Sequence, residues 1–249
     1  MQRLTASPCS LPKWELDPLL NAYAELGFRK YEVFTSWCKS AFDPASSPQI
    51  YLEKARQYGM RYTSLHLPPV NADEPATIDQ AIQAARFASE LGVKVVLFKA
   101  VSRPSFIACA PPFLDAIEGL GLYPVLQNHF GTPLTTLEDL REVMDTIADP
   151  RLKLLLEVGH LAKAGTHWKE PCDLYGDRIE LVHVKDMANG VPVPFGTGEI
   201  DFDGLFACLD DLHYSGDIVV EIETNVEEQD RLKQMKEACD FLYNHGLNE

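Results

Sequence analysis

Residues 152–160 read LKLLLEVGH, an apolar run that stops at Glu157 and His160. The chain makes the same move three more times. LYPVLQNHFG (122–131) halts at Gln127, Asn128 and His129; IELVHVKD (179–186) ends on His183, Lys185 and Asp186; DIVVEIE (217–223) delivers Glu221 and Glu223. Short, nearly continuous apolar runs of this kind read as strands buried on both faces, the condition of a parallel sheet covered by helices. Each is followed by a stretch with helical spacing or helix punctuation, so these segments bear on both the fold and the location of its chemistry.

The alternation extends over the rest of the chain. Residues 2–6, KYEVF (30–34), RYTSLHL (61–67) and VKVVLFKA (93–100) are the earlier strand candidates. Helices are predicted over 17–26, 47–59, 74–92, about 105–119, 134–148, 170–176, 202–212 and 227–245. Pro48 opens the second helix and Gly59 closes it, while Thr136 with Asp139 resembles a capping box. Strands alternating with helices imply parallel pairing through right-handed crossovers. Eight such rounds in 249 residues predict an α/β fold, a single (β/α)8 TIM barrel. A doubly wound open sheet is the competitor, but no G-x-G-x-x-G follows the first strand. With no Gly/Ser-rich linker, one domain is expected over 1–249.

Charge narrows the partners. Asp and Glu number 37 against 22 Lys and Arg, a formal charge of −15. Such a surface repels nucleic acid and anionic membrane, and no basic run relieves it. The six cysteines are scattered without a C-x-x-C pair, as in reduced cytosolic proteins. The N-terminus has no apolar leader pattern, so the expected location is cytoplasmic.

In a parallel barrel, active sites form where the C-terminal strand ends converge. Gln127, Glu157, His183 and Glu221 would then meet around one point. Two carboxylates, an imidazole and an amide oxygen make a mixed O/N shell suited to one divalent cation: Mn²⁺, Mg²⁺, Co²⁺ or Zn²⁺. A single strand-end Glu is more commonly a helix cap or salt-bridge partner. Four ligand types at four successive strand ends are harder to explain that way.

QNH (127–129), EVGH (157–160), HVKD (183–186), GTGEIDF (196–202) and VEIE (220–223), in that order, make the chain resemble the sugar phosphate isomerase/epimerase family, the xylose isomerase-like TIM barrels. The resemblance implies a metal ligand at each of Gln127, Glu157, His183 and Glu221. Gln127 stands where the family has Glu, and Glu157 where it has Asp. In the epimerases of this family two metal-bound Glu residues shuttle protons on opposite faces of an enediolate. Here only Glu221 remains of that pair, so the second acid/base falls to Glu157, His160, Lys185 or a water. Burial beside a cation would lower Lys185 toward neutrality; pairing with Asp186 or another carboxylate is the competing expectation.

The resemblance further implies that His66, His129 and His160 contact the sugar, and that Glu32 contacts substrate or braces the barrel floor. His167, His213 and His245 read as surface residues. Phe34, Trp37 and Trp14 are candidate sugar-packing rings, and Glu199 in GTGEIDF is within reach of the site. That loop carries no Lys or Arg, so an unphosphorylated sugar, keto-sugar or inositol-like polyol is the expected small-molecule partner. Self-association is left open. The expected activity is metal-dependent isomerisation or epimerisation by proton abstraction next to a carbonyl. The alternatives are a lyase or dehydratase on a keto-sugar or keto-cyclitol, and a barrel that binds sugar without turning it over. An apurinic-site endonuclease needs more His and carboxylate ligands and a DNA-binding surface, which the −15 charge opposes.

Overall fold

The computed structural model describes residues 3–247. Eight parallel strands close into a barrel: β1 (Leu4–Ala6), β2 (Lys30–Val33), β3 (Arg61–His66), β4 (Val95–Leu97), β5 (Tyr123–Gln127), β6 (Lys153–Glu157), β7 (Ile179–Val184) and β10 (Ile218–Val220). Neighbours follow sequence order, and β10 pairs with β1 to close the ring. The expected eight-stranded barrel is therefore the observed one. Of the strand expected over 2–6, Leu4–Ala6 is seen, and Gln2 lies outside the described residues.

Around the ring run α1 (Leu16–Glu25), α2 (Pro48–Tyr58), α3 (Ala76–Glu90), α4 (Arg103–Ala116), α5 (Leu137–Ile147), α6 (Val158–Lys163), α7 (Lys169–Tyr175), α8 (Phe202–Asp211) and α9 (Glu228–Asn244). Their ends follow local chemistry. Gly59 terminates α2 at φ 63°, a left-handed conformation that costs glycine little. Thr136 and Asp139 close a reciprocal capping box on α5. Ser102 caps α4 by accepting from the Ser105 N–H, which starts that helix at Arg103, two residues before the expected position. Ala81, Ala84, Ala85 and Ala88 give α3 a small-residue buried face, which permits close approach to the barrel. No helix among the described residues is long and apolar enough to cross a membrane.

Two elements were not anticipated. EVGH passes directly from β6 into α6, which places His160 on a helix and not at a strand end. After β7 the chain folds a two-stranded hairpin, β8 (Asp186–Ala188) against β9 (Val191–Val193), joined through Asn189 and Gly190.

The barrel interior has its own apolar cluster: Val95, Leu97, Val125, Leu155, Leu181 and Val219. Strand side chains alternate sides, so residues two further along face the same way. From Leu97, Val125, Leu155, Leu181 and Val219 this rule leads to Lys99, Gln127, Glu157, His183 and Glu221. An apolar plug thus lies beneath a polar layer, and Lys30 pairs with Asp217 at the opposite end of the barrel.

Candidate active site

Glu157 and His183 are register partners across β6 and β7, and both side chains are completely buried. Glu221 follows β10, where its N–H donates to the Val184 carbonyl at 3.0 Å. His183 Nδ1 lies 3.3 Å from Glu157 Oε2 and 3.2 Å from Glu221 Oε1. The structure therefore brings these three residues together. Their ligand atoms all lie within 4.8 Å of one another. Although His183 Nδ1 and Glu157 Oε2 are close, both are buried without a properly directed hydrogen bond among the described residues.

The other imidazole nitrogen is anchored from below. His183 Nε2 lies 3.0 Å from Glu32 Oε1 in a hydrogen bond. Glu32 is fully buried and also accepts from Ser7 Oγ at 2.9 Å and Ser64 Oγ at 3.0 Å, while His66 Nε2 lies 3.2 Å away. Of the two expectations for Glu32, its contacts match the brace. With Nε2 engaged by Glu32, Nδ1 is the ring atom that faces the two upper carboxylates. Burial disfavours the charged form of Glu32, but His183 and His66 outweigh it and hold the carboxyl far below its usual range.

The remaining charges are strongly mutual. Burial would lower Lys185, yet Glu157, Glu221 and Glu223 hold it well above the ordinary lysine value. Its ammonium lies 2.6 Å from Glu221 and 2.5 Å from Glu223, with Glu157 at 3.9 Å. The lowered value expected from the sequence is thus reversed, because three carboxylates from two other strands reach the same ammonium. Asp186 is not its partner. That carboxylate instead accepts from the backbone N–H groups of Met187, Gly196 and Gly198 and organises the GTGEIDF loop. Burial would likewise raise Glu221, but Lys185 and His183 bring it well below the usual range. Burial also works against the His183 charge, and Glu32 and Glu221 nonetheless raise it well above the usual imidazole value.

Above this layer opens a cavity of about 470 Å³, lined among others by Gln127, His66, His129, His160, Lys185 and Glu221. Glu157 and His183 are not among the lining residues and are closed off from solvent. The His129 and His160 rings lie with centroids 3.7 Å apart. Burial brings His160 down to about 4, with Lys185 and His129 acting in the same direction. Burial lowers His66 to about 4 as well, against the opposing pull of Glu32.

Phe34 and Trp37 line the cavity, whereas Trp14 packs against the core and is not among the lining residues. Glu199 is exposed and lines a separate groove, because the loop turns around Asp186 and carries it away. His167 and His213 are exposed as expected, and His245 is half-buried.

Four participants carried no assigned role in the sequence reading. Asn128 donates to the Glu157 carbonyl at 3.0 Å and accepts from its N–H at 3.1 Å, bolting β5 to β6 at a ligand-type residue. Glu223 and Lys99 line the cavity, and both continue the period-two inward face, which was the available signal. Gly159 leaves room for the Lys185 stem, since a Cβ there would stand 2.2 Å from Lys185 Cγ.

Comparison with known proteins supplies relatives. The profile described as a xylose isomerase-like TIM barrel matches residues 20–245. An alignment 123 positions long, covering 41% of this chain and 41% of that protein, shows 32% identity to inosose dehydratase of Clostridium perfringens. The chain spans about two fifths to one half of the length of the curated relatives it matches. Among solved structures, the IOLI protein with a binding zinc atom superposes with a TM-score of 0.79 at 18% identity, over 98% of this chain and 99% of that one. D-psicose 3-epimerase in the presence of D-fructose gives 0.81 at 12% identity over the same shares.

Proposed function

The chain belongs to the xylose isomerase-like TIM barrel family, and from that premise we propose that it is a divalent-metal-dependent lyase or dehydratase acting on a keto-cyclitol or keto-sugar. The observation that carries this reading is an asymmetry. Glu221 is the one carboxylate of the Glu157–His183–Glu221 group that lines the cavity, and the family's second carboxylate position is held by Gln127. An amide cannot accept and return a proton. Epimerisation needs an acid/base on each face of the substrate, while enolisation followed by elimination can run from one.

The residues suit a bound cation. His183 Nδ1 and Glu157 Oε2 are buried, close and without a directed hydrogen bond among the described residues, which leaves both atoms available as ligands. Glu157, His183 and Glu221 would hold the cation, with Gln127 as fourth ligand or one step removed through water. When bound, it polarises the substrate carbonyl and stabilises the developing oxyanion. Mixed oxygen and nitrogen donors suit Mn²⁺, Mg²⁺, Co²⁺ or Zn²⁺, and the zinc in the IOLI protein is in keeping with that range.

Glu221 takes the proton from the carbon next to the carbonyl. The C–H pair becomes the new C=C bond as the β C–O bond breaks, and the leaving hydroxyl departs as water with a proton supplied from the Lys185–Glu221 pair. Glu157 and Glu32 hold His183 in place, while His66, His129 and His160 face the substrate's hydroxyls. That the relatives include inosose dehydratases supports the dehydratase reading.

Isomerisation or epimerisation is the second reading, favoured by one observation. His160 lines the cavity with Gln127 and His129, so an imidazole stands on the side where Gln127 replaces the second carboxylate. Incubating the manganese-loaded protein with a keto-inositol in deuterated water tests both readings. Elimination should yield a dehydrated product together with α-deuterium exchange, and Glu221→Gln should slow both by roughly 10²–10⁴-fold. An isomer without water loss selects the second reading, and native-rate exchange in Glu221→Gln removes Glu221 as the base.

A further inference from the structure

The polar layer has a member that the metal-ligand residues do not use. Leu97, Val125, Leu155, Leu181 and Val219 plug the barrel interior, and the side chains two residues later are Lys99, Gln127, Glu157, His183 and Glu221. Four of these five belong to the site described above. Lys99 stands apart from them on the β4 side.

Its position is fixed by backbone on both flanks. The Lys99 carbonyl accepts from the Val70 N–H at 2.9 Å, and the Phe98 N–H donates to the Val125 carbonyl at 3.0 Å. The side chain lines the cavity, half-buried, beside His66 and Pro69. Its ammonium makes no hydrogen bond or ion pair with any described residue. Glu32 is the carboxylate whose field reaches it. Both Glu32 oxygens are already engaged, Oε1 by Ser64 and His183 and Oε2 by Ser7. Lys185, the other cation of the cavity, is committed to Glu221 and Glu223, and no arginine lines the wall.

A cation partly withdrawn from water without a partner costs free energy unless something at the site compensates it. Burial lowers Lys99 to about 8, against the opposing pull of Glu32, which leaves it mostly protonated at neutral pH. Among the described residues the cavity thus offers one unpaired positive charge, held in place and facing the space a substrate would fill. One ammonium matches one carboxylate. A phosphate dianion would leave a negative charge uncompensated in a cavity that already contains Glu221 and Glu223.

We infer that Lys99 sets the substrate class by binding a carboxylate of the substrate, making that substrate an acidic keto-sugar or keto-cyclitol. The inference rests on the preceding functional reading only in taking the substrate to be a polyhydroxy ketone. Matched ligands test it: D-fructuronate against D-fructose, D-tagaturonate against D-tagatose, and D-fructose 6-phosphate, titrated calorimetrically with and without Mn²⁺. At least one uronate should bind roughly tenfold or more tightly than its neutral partner, the scale of one charge-assisted contact. Lys99→Met should abolish that gap without changing the manganese stoichiometry, and Lys99→Arg should retain it. A uronate that binds no better than its hexose overturns the inference, and so does the absence of any binding. It is equally overturned if the phosphate ester binds more tightly than the uronates, or if the gap survives in Lys99→Met. Solvent-deuterium exchange on the same bound uronate separates the two readings. Carboxylate preference without exchange removes the enolisation and leaves the role of Lys99 standing; exchange without preference does the reverse.

Discussion

Lys185 reaches the candidate ligands before any metal does. Its ammonium contacts Glu221 at 2.6 Å and Glu223 at 2.5 Å, and it is nearly fully buried. Carboxylate oxygens neutralised by an ammonium attract a divalent cation less strongly, so Lys185 and the metal compete for Glu221. Lys185→Met should therefore tighten Mn²⁺ binding by roughly tenfold, the value of one charged hydrogen bond. The same change leaves buried carboxylates uncompensated and should lower the melting temperature of the metal-free protein. Manganese titration followed by paramagnetic resonance reads the first effect, and an unchanged or weaker affinity would show that the two cations do not compete. At this scale the sequence was legible as residue types at strand ends. Charge states were not, because Glu221 and Glu223 lie 36 and 38 residues beyond Lys185 and only the closed barrel brings them to it.

The passage from β6 into α6 shows how elements share space around that lysine. Glu157 ends the strand and caps the helix by accepting from the Gly159 N–H at 3.3 Å, and Asn128 ties its backbone to β5. A Cβ on Gly159 would stand 2.2 Å from Lys185 Cγ and 2.7 Å from Cδ, so the stem of the side chain would have to move and not merely its tip. Gly159→Ala should destabilise the fold by about 1–3 kcal/mol, the usual cost of overpacking. Combined with Lys185→Ala it should cost clearly less than the two changes summed. Urea unfolding of the four proteins gives the cycle, and additivity within about 0.5 kcal/mol would disprove the clash. The long helices and strands were readable from their periodicity. The six-residue α6 was too short to show one. The β8–β9 hairpin left a signal that went unused: Asn189 and Gly190, at φ 50° and 74°, are the Asn-Gly pair that favours a tight turn between strands.

The stability of the whole molecule should depend on pH through the network beneath the cavity. Burial brings His66 down to about 4 in the folded protein, against about 6.5 in an unfolded chain. Between those values the unfolded chain binds a proton that the native state refuses, so stability is full above about 6.5 and falls on acidification toward 4. The loss approaches about 3 kcal/mol at its limit. Glu32, held far below the usual carboxyl range, adds a loss of the same sign at more acid pH. His183 acts in the opposite sense: its raised value stabilises fully below about 6.5 and the contribution fades as pH rises, so it does not mask the acid slope. Unfolding free energies measured from pH 7 to 4 should fall, and His66→Gln should make the fall shallower, leaving the share of His160, which burial also holds near 4. Identical slopes in the two proteins would mean that His66 titrates normally in the native state.

The eightfold alternation, the buried character of the strands and the polar residues at their C-terminal ends are local properties, set by spacing along the chain. They were enough to identify the barrel and to place Gln127, Glu157, His183 and Glu221 at one end of it. What each residue faces across the barrel depends on closure and register, which no local period encodes. Tertiary structure alone put Glu32 beneath His183, though 151 residues separate them. It also drew Lys185 into the carboxylates, turned Glu199 away and left Lys99 without a partner among the described residues. Electrostatic energies depend on separations through space, and those exist only once β1 and β10 have met.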